Sequence, residues 1–170
     1  MNNILQLTLN RWRSWNRTKR CNLNFRPIVQ CKLSNGLTNY SFLVGAADQR
    51  AVVRVNCAYD NLLGIDRSRE LDILTLLADS KLGPRVLFIN EEVMVSEYIN
   101  GAKLTKIMLE NPTLRSQIKK NLKEISSFLS SYEPRFSYLS HCESYVKQLT
   151  REQLKLVNVT QLLSLANSID

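Results

Sequence analysis

Three short runs of residues near the amino terminus limit most strongly what this chain can fold into. They are rich in β-branched and aromatic side chains and are separated by polar turn signals: the runs are 27–33, 39–45 and 51–57, with Asn35-Gly36 and Ala47-Asp48-Gln49 between them. Short runs of this composition between turn signals predict β-strands. Because the connections are short, we expect three consecutive antiparallel strands.

The segment after these strands predicts a helix. Asp66 is a candidate N-cap, and Leu71, Leu74 and Leu77 fall on one helical stripe. This stripe is expected to dock on the sheet, and Gly83-Pro84 is expected to end the helix. Residues 85–99 then predict a second hairpin that turns at Asn90-Glu91.

The last third of the chain has a helical pattern. Asn111-Pro112 places an N-cap before a proline at the first helical position, and one apolar face continues to Pro134. Shorter helices are expected over 140–149 and 151–157. The residues on the long apolar face are Leu114, Ile118, Leu122, Ile125, Leu129 and Tyr132.

Together these elements predict an α+β fold with a five-stranded antiparallel sheet, one helix on it, and an incomplete set of helices after it. The expected organisation is a basic helix or arm over 1–26, a sheet-containing lobe over 27–100, and the first helices of a second lobe over 101–170. At 170 residues the chain is long enough to bury a core.

The net charge of +8 is concentrated near the amino terminus. Seven basic residues precede Asp48, the first acidic residue, and the rest of the chain is nearly neutral. An arm of this kind, interleaved with Trp12 and Trp15, could contact RNA, an anionic lipid surface or an acidic partner, or act as an organelle-targeting helix. The simpler interpretation is a solvated helix whose tryptophans cover the sheet. The seven are Arg11, Arg13, Arg17, Lys19, Arg20, Arg26 and Lys32.

The cysteines indicate neither a metal cluster nor a disulfide framework. Cys21, Cys31, Cys57 and Cys142 form no C-x-x-C pair, and His141 is the single histidine. We therefore expect reduced thiols and a cytoplasmic location. No apolar run is long enough to span a membrane, and the amino terminus lacks the pattern of a secretory signal.

The first turn signal has the chemistry of a phosphate-binding hairpin. A glycine lets backbone N–H groups approach phosphate oxygens, and neighbouring side chains can add donors. Asn35, Gly36, Thr38 and Asn39 are the candidates here. Asn-Gly is also the commonest ordinary hairpin turn, so this signal is weak when taken alone.

Arg54 is the second candidate. It lies between valines in the third strand, so its side chain faces opposite to its immediate neighbours. A charge on the inner side of a strand needs a partner, and Glu70 on the following helix offers one. The alternative is a solvated arginine and a solvated glutamate with no functional link.

In this order the features resemble the amino-terminal lobe of the choline kinase and aminoglycoside phosphotransferase-like family of small-molecule kinases, which includes thiamine-kinase-like members. The Arg54 and Glu70 pair resembles the strand lysine and helix glutamate that orient ATP phosphates in kinases. The resemblance runs from about Pro27 to about Leu149. It rests on "LSNGLTNYSFLV", "AVVRVN", "DRSRELDILTLLADSKLGPRVLF", "VMVSEYINGAKLT" and "EPRFSYLSHCESYVKQL".

The resemblance implies a fold, cofactors and further site residues. It implies a protein-kinase-like lobe that uses ATP and Mg²⁺, with backbone groups at Glu97, Tyr98 and Ile99 holding the adenine. The acceptor would be a hydroxyl of a small, often cationic metabolite. The family places its catalytic aspartate and metal ligands in an H-x-D-x-x-x-x-N loop, which this sequence does not contain.

His141 does not replace that loop, because Cys142 and Glu143 follow it. We therefore assign no catalytic residue and no metal ligand. The sequence predicts a truncated ATP-dependent phosphotransferase whose own activity is uncertain. The alternative is a non-catalytic half-kinase that binds a nucleotide or a partner and self-associates through exposed helix faces. An RNA-binding role, which should show steep salt dependence, rests on charge alone and is the least favoured.

Overall fold

The computed structural model describes residues 2–33, 39–57, 64–129 and 137–169. The chain forms two compact units. One consists of Met1–Ala58 with Ser68–Leu129, and the other of Tyr59–Arg67 with Ser130–Asp170. The first unit contains the sheet and the long helix, and the second contains short helices.

The elements follow the predicted order of three strands, a helix and two strands. The described elements are α1 Asn2–Asn10, a 3₁₀ turn Trp12–Ser14, β1 Ile28–Leu33, β2 Tyr40–Ala46, β3 Gln49–Val55, α2 Arg67–Asp79, β4 Val86–Ile89, β5 Val93–Glu97, a 3₁₀ turn Ile107–Glu110, α3 Pro112–Leu129, α4 Tyr138–Val146, α5 Arg151–Leu154 and α6 Val159–Ile169. This confirms the predicted α+β class.

The five strands form one antiparallel sheet in the order β1-β2-β3-β5-β4. The predicted turn between β2 and β3 is present, and Ala47 takes a positive φ of 52° in it. The β4–β5 hairpin turns at the predicted Asn90, whose side-chain Oδ1 accepts hydrogen bonds from the N–H groups of Glu92 and Val93. The side chain of Asn90 therefore closes this turn.

One face of the sheet carries the hydrophobic core. On β3 the residues Ala51, Val53 and Val55 are buried, while Val52 and Arg54 between them are only half-buried. This alternation is the period-2 pattern of a strand with one covered face. Burying a Val or Leu side chain contributes about 1.5–3 kcal/mol, so this face supplies much of the stability of the unit.

The amino-terminal arm covers that face. Leu5 and Leu9 of α1 are buried in the core, together with Trp15, Cys21 and Leu23 of the extended segment that follows. Trp12 packs against the same cluster. The prediction that the tryptophans cover the sheet agrees with this packing.

The end of α2 differs from the prediction. The helix ends at Asp79, before Gly83-Pro84, because Lys81 adopts a positive φ of 61°. The N–H of Lys81 donates to the carbonyl of Ala78, and the N–H of Leu82 donates to that of Leu77, which is a Schellman motif. A lysine therefore occupies the position where glycine is usual.

The α2 leucine stripe is also less covered than predicted. Leu71, Leu74 and Leu77 are all half-buried, and Ala78 is the buried residue of this helix. An ion pair from the first turn of the helix, described below, joins it to the sheet.

The long helix α3 begins as predicted. The Oδ1 of Asn111 accepts from the N–H groups of Thr113 and Leu114, so Asn111 is its N-cap. The helix is described to Leu129, and the predicted continuation through Tyr132 to Pro134 lies outside the described residues.

In the second unit, α4 and α6 pack against each other. The first two of its short helices lie near the predicted ranges, and Thr150 forms a capping box with Gln153 at the start of α5. The third helix, α6, was not predicted. Within the described ranges, no helix combines the length and apolarity needed to cross a bilayer.

Candidate functional site

A bidentate ion pair joins β3 to α2. The Nη2 of Arg54 donates to the Oε2 of Glu70 at 2.8 Å, and its Nη1 donates to the Oε1 of the same carboxylate. The Nε donates to the Oδ1 of Asn56 at 3.2 Å. The side chains of Arg54 and Glu70 are 13% and 30% exposed, so the pair is shielded but reachable by a ligand.

The local sequence dictates this geometry. Strand alternation sends Val53 and Val55 into the core and Arg54 to the other face. Glu70 lies in the first turn of α2, where the helix dipole favours a negative charge. Two parallel hydrogen bonds fix the plane of the guanidinium, which a single contact would not do. The structure therefore brings these two predicted residues together.

The guanidinium retains donors for a ligand. Its contacts to Glu70 and Asn56 use three N–H groups of the five that an arginine carries. A planar, oriented group with two further donors matches the geometry of a phosphate. Glu70 thus holds the positively charged guanidinium of Arg54 in place on this face, where it can bind an anionic ligand.

The end of β1 and the start of β2 lie beside Arg54. Ser41 is in register with both Leu33 and Arg54, so β1 ends at the level of the arginine. Asn39 accepts a hydrogen bond at its Oδ1 from the N–H of Cys57, 3.0 Å away. The other predicted phosphate-binding residues, Asn35, Gly36 and Thr38, lie outside the described residues.

The three predicted adenine-binding residues are at the end of β5. Glu97 is buried, and its backbone N–H donates to the carbonyl of Arg85 at 3.0 Å. Tyr98 is half-buried, with the guanidinium of Arg50 5.8 Å from its ring centroid. Ile99 is 50% exposed.

The side chain of Glu97 faces away from Arg54. It is in register with Ala51, on the face covered by the arm, and its Oε2 accepts from the N–H of Arg85 at 3.3 Å. Only backbone groups of Glu97 can therefore take part in a site on the Arg54 face.

The Glu97 carboxylate also affects Cys21 of the arm. Burial raises the pKa of the Cys21 thiol, and the negative charge of Glu97 raises it further.

The described residues do not fit a protein-held magnesium ion. Among them, no three His, Cys, Asp or Glu side chains cluster in a way that could hold a metal. Asp79 is exposed and lies 3.3 Å from the guanidinium of Arg85. His141 stacks edge-on against Tyr145 at 4.7 Å between centroids and lies close to Gly64, so it belongs to the packing of the second unit.

Asn56 and Arg50 were not predicted as site residues. Asn56 holds Arg54 through its Oδ1 and is itself fixed by a bond from its Nδ2 to the carbonyl of Glu91 at 2.9 Å. Asn56 is two residues after Arg54 and Arg50 is four residues before it, so strand alternation places all three side chains on the same side. This spacing is the signal that could have found them.

A protein-family model covers most of this chain. The family model for choline/ethanolamine kinase matches residues 30–169. No curated protein sequence matches the chain.

Two solved structures are similar to this fold. The ethanolamine kinase of Plasmodium vivax has a TM-score of 0.61 at 20% identity, covering 84% of this chain and 46% of that protein. The choline kinase of Cryptosporidium parvum Iowa II has a TM-score of 0.60 at 18% identity, covering 96% of this chain and 49% of that protein. The chain thus spans about half the length of the structures it matches.

Proposed function

The chain belongs to the choline/ethanolamine kinase family, and from that premise we propose that it is the nucleotide-binding part of an ATP-dependent phosphotransferase. The acceptor would be the hydroxyl of a small amino alcohol, the substrate class of the family. The observation that carries this proposal is the bidentate ion pair between Arg54 and Glu70.

Arg54 would bind phosphate oxygens of ATP. Glu70 and Asn56 hold its guanidinium in one orientation, so no side-chain ordering is left to the moment of binding. In phosphoryl transfer the protein acts mainly by positioning the phosphates and neutralising their charge. A fixed arginine on β3 would both position the phosphates and neutralise part of their charge.

The remaining contacts follow from the same placement. The end of β1 is level with Arg54, and the backbone and side-chain donors of the segment from Asn35 to Asn39, which follows β1 in the sequence, would cover the phosphates. Backbone groups at Tyr98 and Ile99, just after β5, would hold the adenine. Magnesium, when bound with ATP, would offset phosphate charge, and we assign it no ligand in this chain.

A second candidate for this polypeptide is nucleotide binding without turnover, together with self-association through an exposed apolar surface. Residues 99–113 are all exposed and include Ile99, Leu104 and Ile107. Such an apolar surface would promote self-association of a binding module. Light scattering that finds a strict monomer at high concentration would argue against that form of the proposal.

Calorimetric titration of the full chain with a non-hydrolysable ATP analogue tests nucleotide binding. We expect saturable binding, and Arg54→Gln should weaken it roughly tenfold or more, because hydrogen bonds to charged groups contribute about 1.5–3 kcal/mol. Arg11→Gln is the matched control, since it removes the same charge from the exposed arm that covers the other face. Equal affinity of the two variants, or no binding by the wild-type chain, would refute the proposal.

A further inference from the structure

A second, strongly basic pocket lies where the arm meets the end of α2 and the start of β4. It has a volume of about 680 Å³ and is open to solvent. Its lining brings together side chains that are far apart in the sequence. The charged ones are Arg17, Lys19, Arg20, Lys81, Arg85 and Glu97.

This pocket is separate from the Arg54 site. Glu97 is in register with Ala51 and points to the face of the sheet that the arm covers. Arg54 is in register with Met94 and points to the opposite face. A ligand in the basic pocket would therefore not meet the Arg54–Glu70 pair.

The positive charge of the pocket is largely uncompensated. In the part of the chain that the structure describes, Arg17, Lys19 and Lys81 make no ion pair. Arg20 approaches Glu97 only to 3.9 Å, and it remains 55% exposed. Of the five cations that line the pocket, Arg85 is paired with Asp79 at 3.3 Å and Arg20 lies near Glu97, which leaves three whose charge an anionic ligand could neutralise.

The arm holds its cations on a fixed backbone. Trp15 and Cys21 are buried at the two ends of the loop that carries Arg17, Lys19 and Arg20. The loop is closed by hydrogen bonds from the Asn16 N–H to the carbonyl of Leu87 at 2.7 Å and from the Thr18 N–H to that of Cys21 at 2.9 Å. A loop anchored in this way presents its charges without a large ordering cost on binding.

Lys81 adds an independent observation. It occupies the left-handed position of the α2 Schellman motif, where glycine would be less strained. Strained backbone conformations cluster at active sites and ligand clamps. Here the residue is a lysine that lines the pocket.

We propose that this pocket binds a phosphate monoester. Arginine and lysine together are the usual ligands of phosphate, and the volume suits a small organic group rather than a polymer. Glu97 then serves to hold the Arg85 backbone and to keep Arg20 at the mouth of the pocket. The monoester could belong to a soluble metabolite or to an anionic lipid headgroup.

The test uses two probes on the full chain: glycerol 3-phosphate by calorimetry, and phosphatidylcholine vesicles with and without phosphatidic acid by flotation. We expect Lys81→Gly to weaken binding roughly fivefold, as removal of one surface lysine does at anionic membranes. The same variant should raise Tm by about 2–4 °C, because the strained backbone is relieved. A purely structural residue would not give these opposite changes.

Arg11→Ala controls for net charge, and Arg54→Gln controls for binding of the probe at the nucleotide site. Neither should change the affinity for the monoester. Binding of glycerol 3-phosphate alone would identify a soluble ligand, and binding of phosphatidic acid vesicles alone would identify a lipid. The proposal is overturned if neither probe binds, or if Lys81→Gly weakens binding no more than Arg11→Ala does.

Discussion

The energetic coupling between Arg54 and Glu70 can be measured by a double-mutant cycle with Arg54→Met, Glu70→Gln and the double variant. Exposed ion pairs contribute about 0–1 kcal/mol, and breaking a fully buried one costs about 3–5 kcal/mol. Side-chain exposures of 13% and 30% put this pair between the two cases. The bidentate geometry raises its strength, so we expect a coupling of about 1–2 kcal/mol.

Urea unfolding followed by tryptophan fluorescence is suited to this cycle. Trp12 and Trp15 are the two tryptophans of the chain, and both lie in the unit that contains the ion pair. Glu70→Gln should destabilise this unit, because it leaves a partly buried guanidinium without its counter-charge. Arg54→Met should then lower the free energy of unfolding less in the Glu70→Gln background than it does in the wild-type chain. Additive effects, with a coupling near zero, would refute the claim that α2 is held to β3 through this pair.

Three further changes test the fold. Trp15→Ala should lower the free energy of unfolding by about 3–5 kcal/mol in urea titrations, because it opens a cavity in the core under the arm; an effect below 1 kcal/mol would show that the arm does not pack on the sheet. Asn111→Ala should cost about 1 kcal/mol in the same assay through loss of the α3 N-cap, and Asn111→Asp should restore most of it. Cys21 should react with iodoacetamide more slowly than the exposed Cys31, because burial raises the pKa of its thiol. In the unfolded chain this thiol has a pKa of 9.0, so the folded state holds the proton more tightly. The stability that this thiol contributes should therefore fall as the pH rises above 9, and the effect should be absent in Cys21→Ala.

The strands, their order along the chain and the Arg54–Glu70 pair were predictable from the sequence. Each rests on a local signal: turn residues between β-branched runs, and a charge whose parity in β3 places it opposite to buried valines. The N-cap at Asn111 is equally local. These features need no knowledge of distant parts of the chain.

The features that the sequence did not predict depend on contacts that are distant or on signals that are weak. The end of α2 is set by Lys81 in a left-handed conformation, which glycine statistics do not suggest. The burial of the Glu97 side chain depends on the arm, more than 70 residues earlier in the chain. Helix α6 is an exception, because its signals are local: Asn158 accepts from the N–H of Gln161 as an N-cap, and the apolar residues Val159, Leu162, Leu163 and Ala166 recur at helical spacing.

Hydrogen exchange of the full chain, with and without a saturating non-hydrolysable ATP analogue, shows directly which face of the sheet binds the nucleotide. We expect slower exchange in β3 around Arg54 and in the first turn of α2, with no change in residues 16–23 of the arm. Protection confined to the arm, or no protection anywhere, would contradict a nucleotide site on the Arg54 face.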